Sequence, residues 1–245
     1  MLRRIPPLRL LLVLGGSFAV VVVFSGIGAH YPHDWLLENA LVAVFVPVLA
    51  LTYRWFPFSR LSYLLMFAFL CLHETGAHWT YAEVPYNEWT RAWFGRSLND
   101  VLGWERNHFD RVVHFLYGLL LAYPIREVFL RVGHVRGFWG YFLPLDLTMS
   151  TSMIFELIEW GAAEVFGGDL GEAYLGTQGD VWDAHKDMAL ASLGALIAML
   201  VTAGINARYK RDFAREFIDS LKVKSTRPLG EEELARLKND HDRSR

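Results

Sequence analysis

Histidines and carboxylates spaced one helical turn apart are the raw material of metal sites, and four apolar stretches of this chain contain them. They are His73-Glu74-Thr75-Gly76-Ala77-His78, His108-Phe109-Asp110-Arg111-Val112-Val113-His114, Glu156-Leu157-Ile158-Glu159-Trp160 and Asp180-Val181-Trp182-Asp183-Ala184-His185-Lys186-Asp187. Glu74 and His78 are spaced i,i+4, as are Asp110 and His114, so each pair shares one helix face. Glu156 and Glu159 are i,i+3, with Ser152 one turn earlier, and Asp180, Asp183 and Asp187 form an i, i+3, i+7 stripe. The opposite positions are apolar, which directs these faces into a helix bundle. Imidazole mixed with carboxylate suits zinc, manganese or iron, and bundles elsewhere build metal sites from inward-facing Glu and His.

Seven carboxylates in a small, partly desolvated region cannot all stay ionised without compensation. Arg106, Arg111 and Lys186 are at hand but too few. A divalent cation is the economical answer. The expected ligands are Glu74, His78, Asp110, His114, Glu156, Asp183 and Asp187, enough for two ions, with Glu159 as the spare carboxylate for a general base. His73, His108 and His185 sit off the main faces. Two other readings of the set stay open: a metal-free proton or ion relay, and a structural polar network. Single residues have plainer roles too. Asp180 suits a helix N-cap, Arg111 with Asp110 or Lys186 with Asp183 suits an ion pair, and Cys71 suits packing as a small hydrophobe. The H-E-x-x-H zinc motif does not apply. His73 and His78 are five apart, which turns their imidazoles about 140° from each other.

The elements that must position these groups are long apolar runs. The fold class expected is an all-α, polytopic membrane bundle of six transmembrane helices with both termini cytoplasmic. The runs are Leu8–Ala29, Leu36–Tyr53, Arg60–Tyr81, His108–Arg131, Phe138–Phe166 and Asp180–Ala207, near the ~20 residues a bilayer demands. The first is longer than the ~7–15 residues of a signal-peptide core and reads as a retained span. Basic residues recur before span one (Arg3, Arg4), between two and three (Arg54, Arg60), between four and five (Arg131, Arg136) and after six (Arg208, Lys210, Arg211, Arg215). The loops after spans one and five have none, so the positive-inside bias puts both termini in the cytoplasm. Trp35, Trp79, Tyr81, Trp89, Trp93, Trp104 and Trp182 fall at the opposite face as an interfacial belt. Counting ~1.5 Å per residue from each basic end places all four clusters about 20–33 Å away, at one depth near the outer interface. Two of these helices run outward and two inward, so the shared depth is the strongest sign of a single site.

The membrane domain spans residues 1–207, and residues 208–245 form a polar tail in which Phe213, Phe217 and Leu221 mark a short amphipathic helix. Pro228-Leu229-Gly230 then breaks the pattern before a solvated, charged segment. A net charge of -2 with scattered basic residues leaves no nucleic-acid footprint. One cysteine excludes an internal disulfide framework. The loop Gly167-Gly168-Asp169-Leu170-Gly171, with Gly176 and Gly179, reads as a turn region or a flexible cover.

Between about Leu72 and Leu200 the chain resembles the YjdF-type bacterial inner membrane proteins. The matching stretches are Glu74-Thr75-Gly76-Ala77-His78, Arg106-Asn107-His108-Phe109-Asp110-Arg111, Pro144-Leu145-Asp146 and Gln178-Gly179-Asp180-Val181-Trp182-Asp183. The order of a Glu followed by Gln178, Asp180 and Asp183 is more faintly similar to VanZ-type membrane proteins. The YjdF resemblance implies a multi-pass bacterial membrane location and brings no activity with it. The leading expectation is a metal-dependent hydrolase of a lipid or other envelope component, with membrane lipids as its surroundings. The alternatives are an ion- or proton-coupled transporter and a sensor or assembly factor with a structural metal. A transport path needs polar groups running on to the cytoplasmic side, where only Asp146 and a few hydroxyls are available.

Overall fold

The structure, a computed structural model, describes residues 8–166, 177–224 and 228–243. The basic pair Arg3 and Arg4 and the Gly167–Gly171 loop with Gly176 lie outside the described residues. Among the described residues all regular structure is helical. The long helices are α1 (Leu8–Gly26), α2 (Pro32–Thr52), α3 (Arg60–Trp79), α6 (Phe109–Arg131), α7 (Trp139–Phe166) and α8 (Asp183–Tyr209). Short helices α4 (Tyr86–Phe94) and α5 (Leu98–Leu102) lie between α3 and α6, while α9 (Phe213–Ser220) and α10 (Leu229–Arg243) form the tail.

By length and composition α1, α2, α6 and α8 are apolar enough to cross a membrane. The 20-residue α3 and 28-residue α7 are long enough, but they carry polar residues of the clusters and fall outside these four. Large apolar side chains such as Leu12, Phe24, Leu51 and Leu200 stand exposed along the bundle. Such continuous apolar surface is stable only against lipid or protein.

Packing fixes the direction of each helix. Phe18 of α1 and Val42 of α2 meet Leu70 of α3. The start of α3 lies by the end of α6, where Ser62 Oγ donates to Glu127 at 2.7 Å. Tyr141, near the start of α7, packs by Met199 and Ala198 of α8. The ends of α1, α3 and α7 therefore gather with the starts of α2, α6 and α8. This is the acidic end, and all four clusters sit there as the helix-rise count required.

Element boundaries depart from expectation where local chemistry decides them. Helix α2 begins at Pro32 rather than Leu36. Proline is well placed in a first helical turn, where its missing N–H is not needed. That earlier start draws Asp34 into the helix, one turn before Glu38. In the tail, the charged segment after Pro228 forms a helix of its own. Helix α9 does form, with Phe213 against Tyr141 and Phe217 against Phe138, so part of its aromatic face is spent on the base of α7.

Candidate metal centre and its cavity

The centre begins with small residues. Gly118, Ala122, Ala191, Gly194 and Ala195 are buried where α6 and α8 run side by side in the same direction. A Cβ on Gly118 would lie 1.9 Å from the Ala191 carbonyl oxygen, and one on Gly194 would lie 2.0 Å from that of Phe115. Only glycine permits so close a backbone approach. That contact sets the register. One turn above it, His114 and Asp110 of α6 come level with Asp187 of α8, their ligand atoms all within 4.8 Å of one another.

Helix α7 brings Glu156 alongside this group, against His114. His114 Nε2 is 3.6 Å from Asp110 Oδ1 and 3.4 Å from Glu156 Oε1. Bonds of ~2.1 Å at tetrahedral angles place donors about 3.4 Å apart on a zinc-like ion. The two distances from His114 are of this size, and imidazole with carboxylate is a donor mixture that divalent cations take. The buried oxygens Glu156 Oε1 and Asp187 Oδ1 have no hydrogen-bond partner, although buried polar atoms are normally paired.

The available cations are spent elsewhere. Arg106 grips Asp183 with two nitrogens at 2.7 and 2.9 Å. Arg111 donates to Asp180 at 2.6 Å and Asp183 at 2.7 Å, and Lys186 donates to Asp180 at 2.5 Å. Asp183 thus stands in an ionic clamp between the starts of α6 and α8, not among the converging ligands. The ion pairs also differ from those expected, since Arg111 takes Asp180 and Asp183, and Lys186 takes Asp180. Among the described residues, no Lys or Arg forms an ion pair with Asp110, Glu156, Glu159 or Asp187.

Glu74 and His78 do not join this set either. The fully buried Glu74 accepts a short hydrogen bond from Ser25 Oγ. His78 Nδ1 donates to the Ser25 carbonyl at 2.6 Å, and its own carbonyl accepts from His30 N–H. Together they fasten the end of α1 to the end of α3. His108 lies tilted against Trp104 and His185 meets Trp182 edge-on, outside the group of Asp110, His114 and Asp187. Glu159 lines the same cavity as Asp110 and His114, with its carboxyl beside that of Glu156.

Three residues not proposed as site residues from sequence face this chamber. Asp34 and Glu38 of α2 are 2% and 7% exposed, and both Asp34 oxygens lack partners. The helix-rise count from Thr52 would have found them about 21–27 Å up their span. His73 is buried, with Nδ1 2.5 Å from the Tyr81 hydroxyl and Nε2 unpartnered. Tyr81 folds back over Gly76, where a Cβ would lie 2.5 Å from its ring, and both Thr80 and Tyr81 adopt positive φ to make that turn. Tyr81 therefore lines the cavity rather than the interfacial belt. Trp93 and Trp182 remain exposed as belt residues would.

The cavity holds about 660 Å³, inside the ~300–1,000 Å³ range of small-molecule sites. Its head carries Asp34, Glu38, His73, Tyr81, Asp110, His114, Ser152 and Glu159. Below the hydrogen bond between Tyr117 and Thr151, 2.6 Å long, the wall turns to Leu, Val, Ile, Phe and Pro.

Comparison with known proteins agrees with this architecture. Residues 10–208 match the family model described as predicted membrane protein (DUF2238). The Escherichia coli K12 protein named inner membrane protein YjdF is 35% identical over 198 residues, covering 80% of this chain and 90% of that protein. No solved structure matches. With the family model spanning the whole helical bundle and its acidic cavity, the chain belongs to the DUF2238 family of multi-pass membrane proteins.

Proposed function

We propose that the protein is a metal-dependent hydrolase of the bacterial inner membrane that acts on a lipid or other envelope substrate from the outer side. The observation that carries this is the gathering of Asp110, His114 and Asp187 within 4.8 Å of one another, with Glu156 3.4 Å from His114, bare buried oxygens on Glu156 and Asp187, and, among the described residues, no Lys or Arg ion-paired to them. Zinc, manganese or iron suits the donors. When bound there, such an ion supplies Lewis acidity and brings a coordinated water's pKa near 7. The reading takes one ion, because among the described residues Asp34, Glu38 and His73 do not converge into a second set of donors. Glu159 accepts the proton of the attacking water, and the Ser152 hydroxyl, which has no hydrogen-bond partner, lines the chamber as a donor to substrate.

In this reading all six long helices cross the bilayer and both termini are cytoplasmic. The basic ends of the helices then face the cytoplasm and the acidic end faces out. The apolar wall below Tyr117 favours a one-sided chamber over an ion path, which would need polar groups at every depth. Elemental mass spectrometry of the detergent-purified chain tests the metal. A metal-free preparation that stays folded and gains no thermal stability from zinc, manganese or iron overturns the proposal. Glu159→Gln should keep the metal and lose turnover. Single cysteines in a Cys71→Ser background test the orientation. A membrane-impermeant maleimide should label Thr177→Cys in intact spheroplasts, and Lys222→Cys only after lysis.

A further inference from the structure

We infer that the apolar arm of the cavity seats one acyl chain of an outer-leaflet lipid, admitted sideways from the bilayer between α2 and α7. The inference rests on the hydrolase reading for what happens at the chain's polar end, and on the shape of the cavity for the chain itself.

The mouth is defined by residues that line the cavity and are also open to the surroundings. Leu41, Val44 and Val48 of α2 are 51%, 63% and 48% exposed, and Ile154 and Ile158 of α7 are 50% and 49% exposed. Helices α2 and α7 do not form a packed pair, although α2 packs on α3 and α7 packs on α6 and α8. A slot between two apolar spans opens onto lipid chains, not water. Behind it the walls are closed, with Met66, Leu70 and Val113 3%, 8% and 5% exposed.

The dimensions match one leaflet. From Glu38, at the polar head, to Leu49, near the floor, α2 rises over 11 residues, which is about 16 Å. One leaflet fills roughly half of a ~30 Å hydrocarbon core. A chain lying here from the outer side would put its first polar atoms level with Glu38, Asp110 and His114. Filling these walls with water is unfavourable, and filling them with hydrocarbon is not. The carboxylates above give the site its amphiphilic character: apolar below, ligand-rich on top.

The test uses the full chain in phosphatidylethanolamine–phosphatidylglycerol vesicles containing a phosphatidylethanolamine with a diazirine midway along one acyl chain. Illumination should label Met66 and Leu121, cavity walls that the outer lipid-facing surface does not offer. Val44→Trp and Ile154→Trp, both at the mouth, should abolish that labelling while leaving metal content and the labelling of Phe24 on α1 unchanged. His114→Ala should lose metal and keep the Met66 and Leu121 labels. Should wild type carry labels at Met66 and Leu121 but no metal, the hydrolase reading fails and the acyl seat stands. Labels confined to outward residues such as Leu12 and Phe24 overturn the inference, as do labels that survive both tryptophan variants. A polyprenyl phosphate that displaces the acyl probe from Met66, or a chain-to-chain cross-link at Val44, replaces the acyl chain with another occupant and overturns it too.

Discussion

Gly118→Ala adds one methyl group at the contact that sets the register of the metal centre. Its carbon would start 1.9 Å from the Ala191 carbonyl oxygen, whereas ordinary contact begins near 3.4 Å. Helices α6 and α8 must therefore separate by about 1.5 Å, because the obstacle is backbone and cannot rotate aside. Overpacking of a tight interior costs typically ~1–3 kcal/mol, and a backbone obstacle belongs at the upper end. For a chain of this size each kcal/mol moves Tm by roughly 2–4 °C, so the expected loss is about 6–12 °C. Function should suffer more than stability. His114 lies one turn above Gly118, and productive ligand geometry tolerates only about 0.5 Å. Metal occupancy should fall even in protein that remains folded. The control is Gly204→Ala in α8, where nothing lies within 4 Å of the added carbon. It should be neutral or mildly stabilising, since alanine favours a helix over glycine by up to ~1 kcal/mol. Thermal unfolding in detergent, followed by size exclusion and elemental analysis of the monodisperse peak, reads both quantities. If Gly118→Ala matches Gly204→Ala in Tm and metal content, the register argument is wrong.

Asp183 and Asp187 are one turn apart and should fail in opposite ways. Asp183→Asn removes the carboxylate that Arg106 and Arg111 share while both still face Asp180, so the loss should be about 1.5–3 kcal/mol, as for hydrogen bonds to charged groups, yet metal content should hold. Asp187→Asn should lose metal at little cost to Tm in metal-free buffer. The same two assays separate them, and the reverse pattern would reassign the ligands. The pH dependence follows from Asp180, whose carboxyl is held below the usual carboxylate range, chiefly by the hydrogen bond from the Lys186 ammonium. Its contribution should be fully present above the unfolded-state pKa of ~3.9 and be lost as pH falls further toward the depressed folded value. The Tm gap between wild type and Asp180→Asn should therefore be constant from about pH 5 to 8 and shrink only in strong acid. A gap that already closes near pH 6 would mean that another group governs the clamp.

Much of this molecule is decided by one-dimensional patterns. A bilayer demands apolar runs of fixed length, so the expected runs Leu8–Ala29 and Asp180–Ala207 fall on the helices Leu8–Gly26 and Asp183–Tyr209, with their ends moved by a few residues. Depth is equally legible because helix rise is constant, and it brought Asp110, His114, Glu156 and Asp187 to one level without any knowledge of neighbours. What a linear count leaves undetermined is azimuth and partner. Glu74 and His78 have the same spacing and depth as Asp110 and His114, yet Ser25 of α1 claims both. Asp183 lies on the stripe with Asp187, but two arginines reach it first. Asp34 joined the chamber because α2 starts at Pro32, and Glu38, already inside the expected run, because α2 packs on α3. Which of several equivalent acids remains bare is settled by which helix stands beside it, and here that follows from the glycine contact between α6 and α8. Local spacing can nominate ligands, whereas only tertiary packing can leave them unpaired.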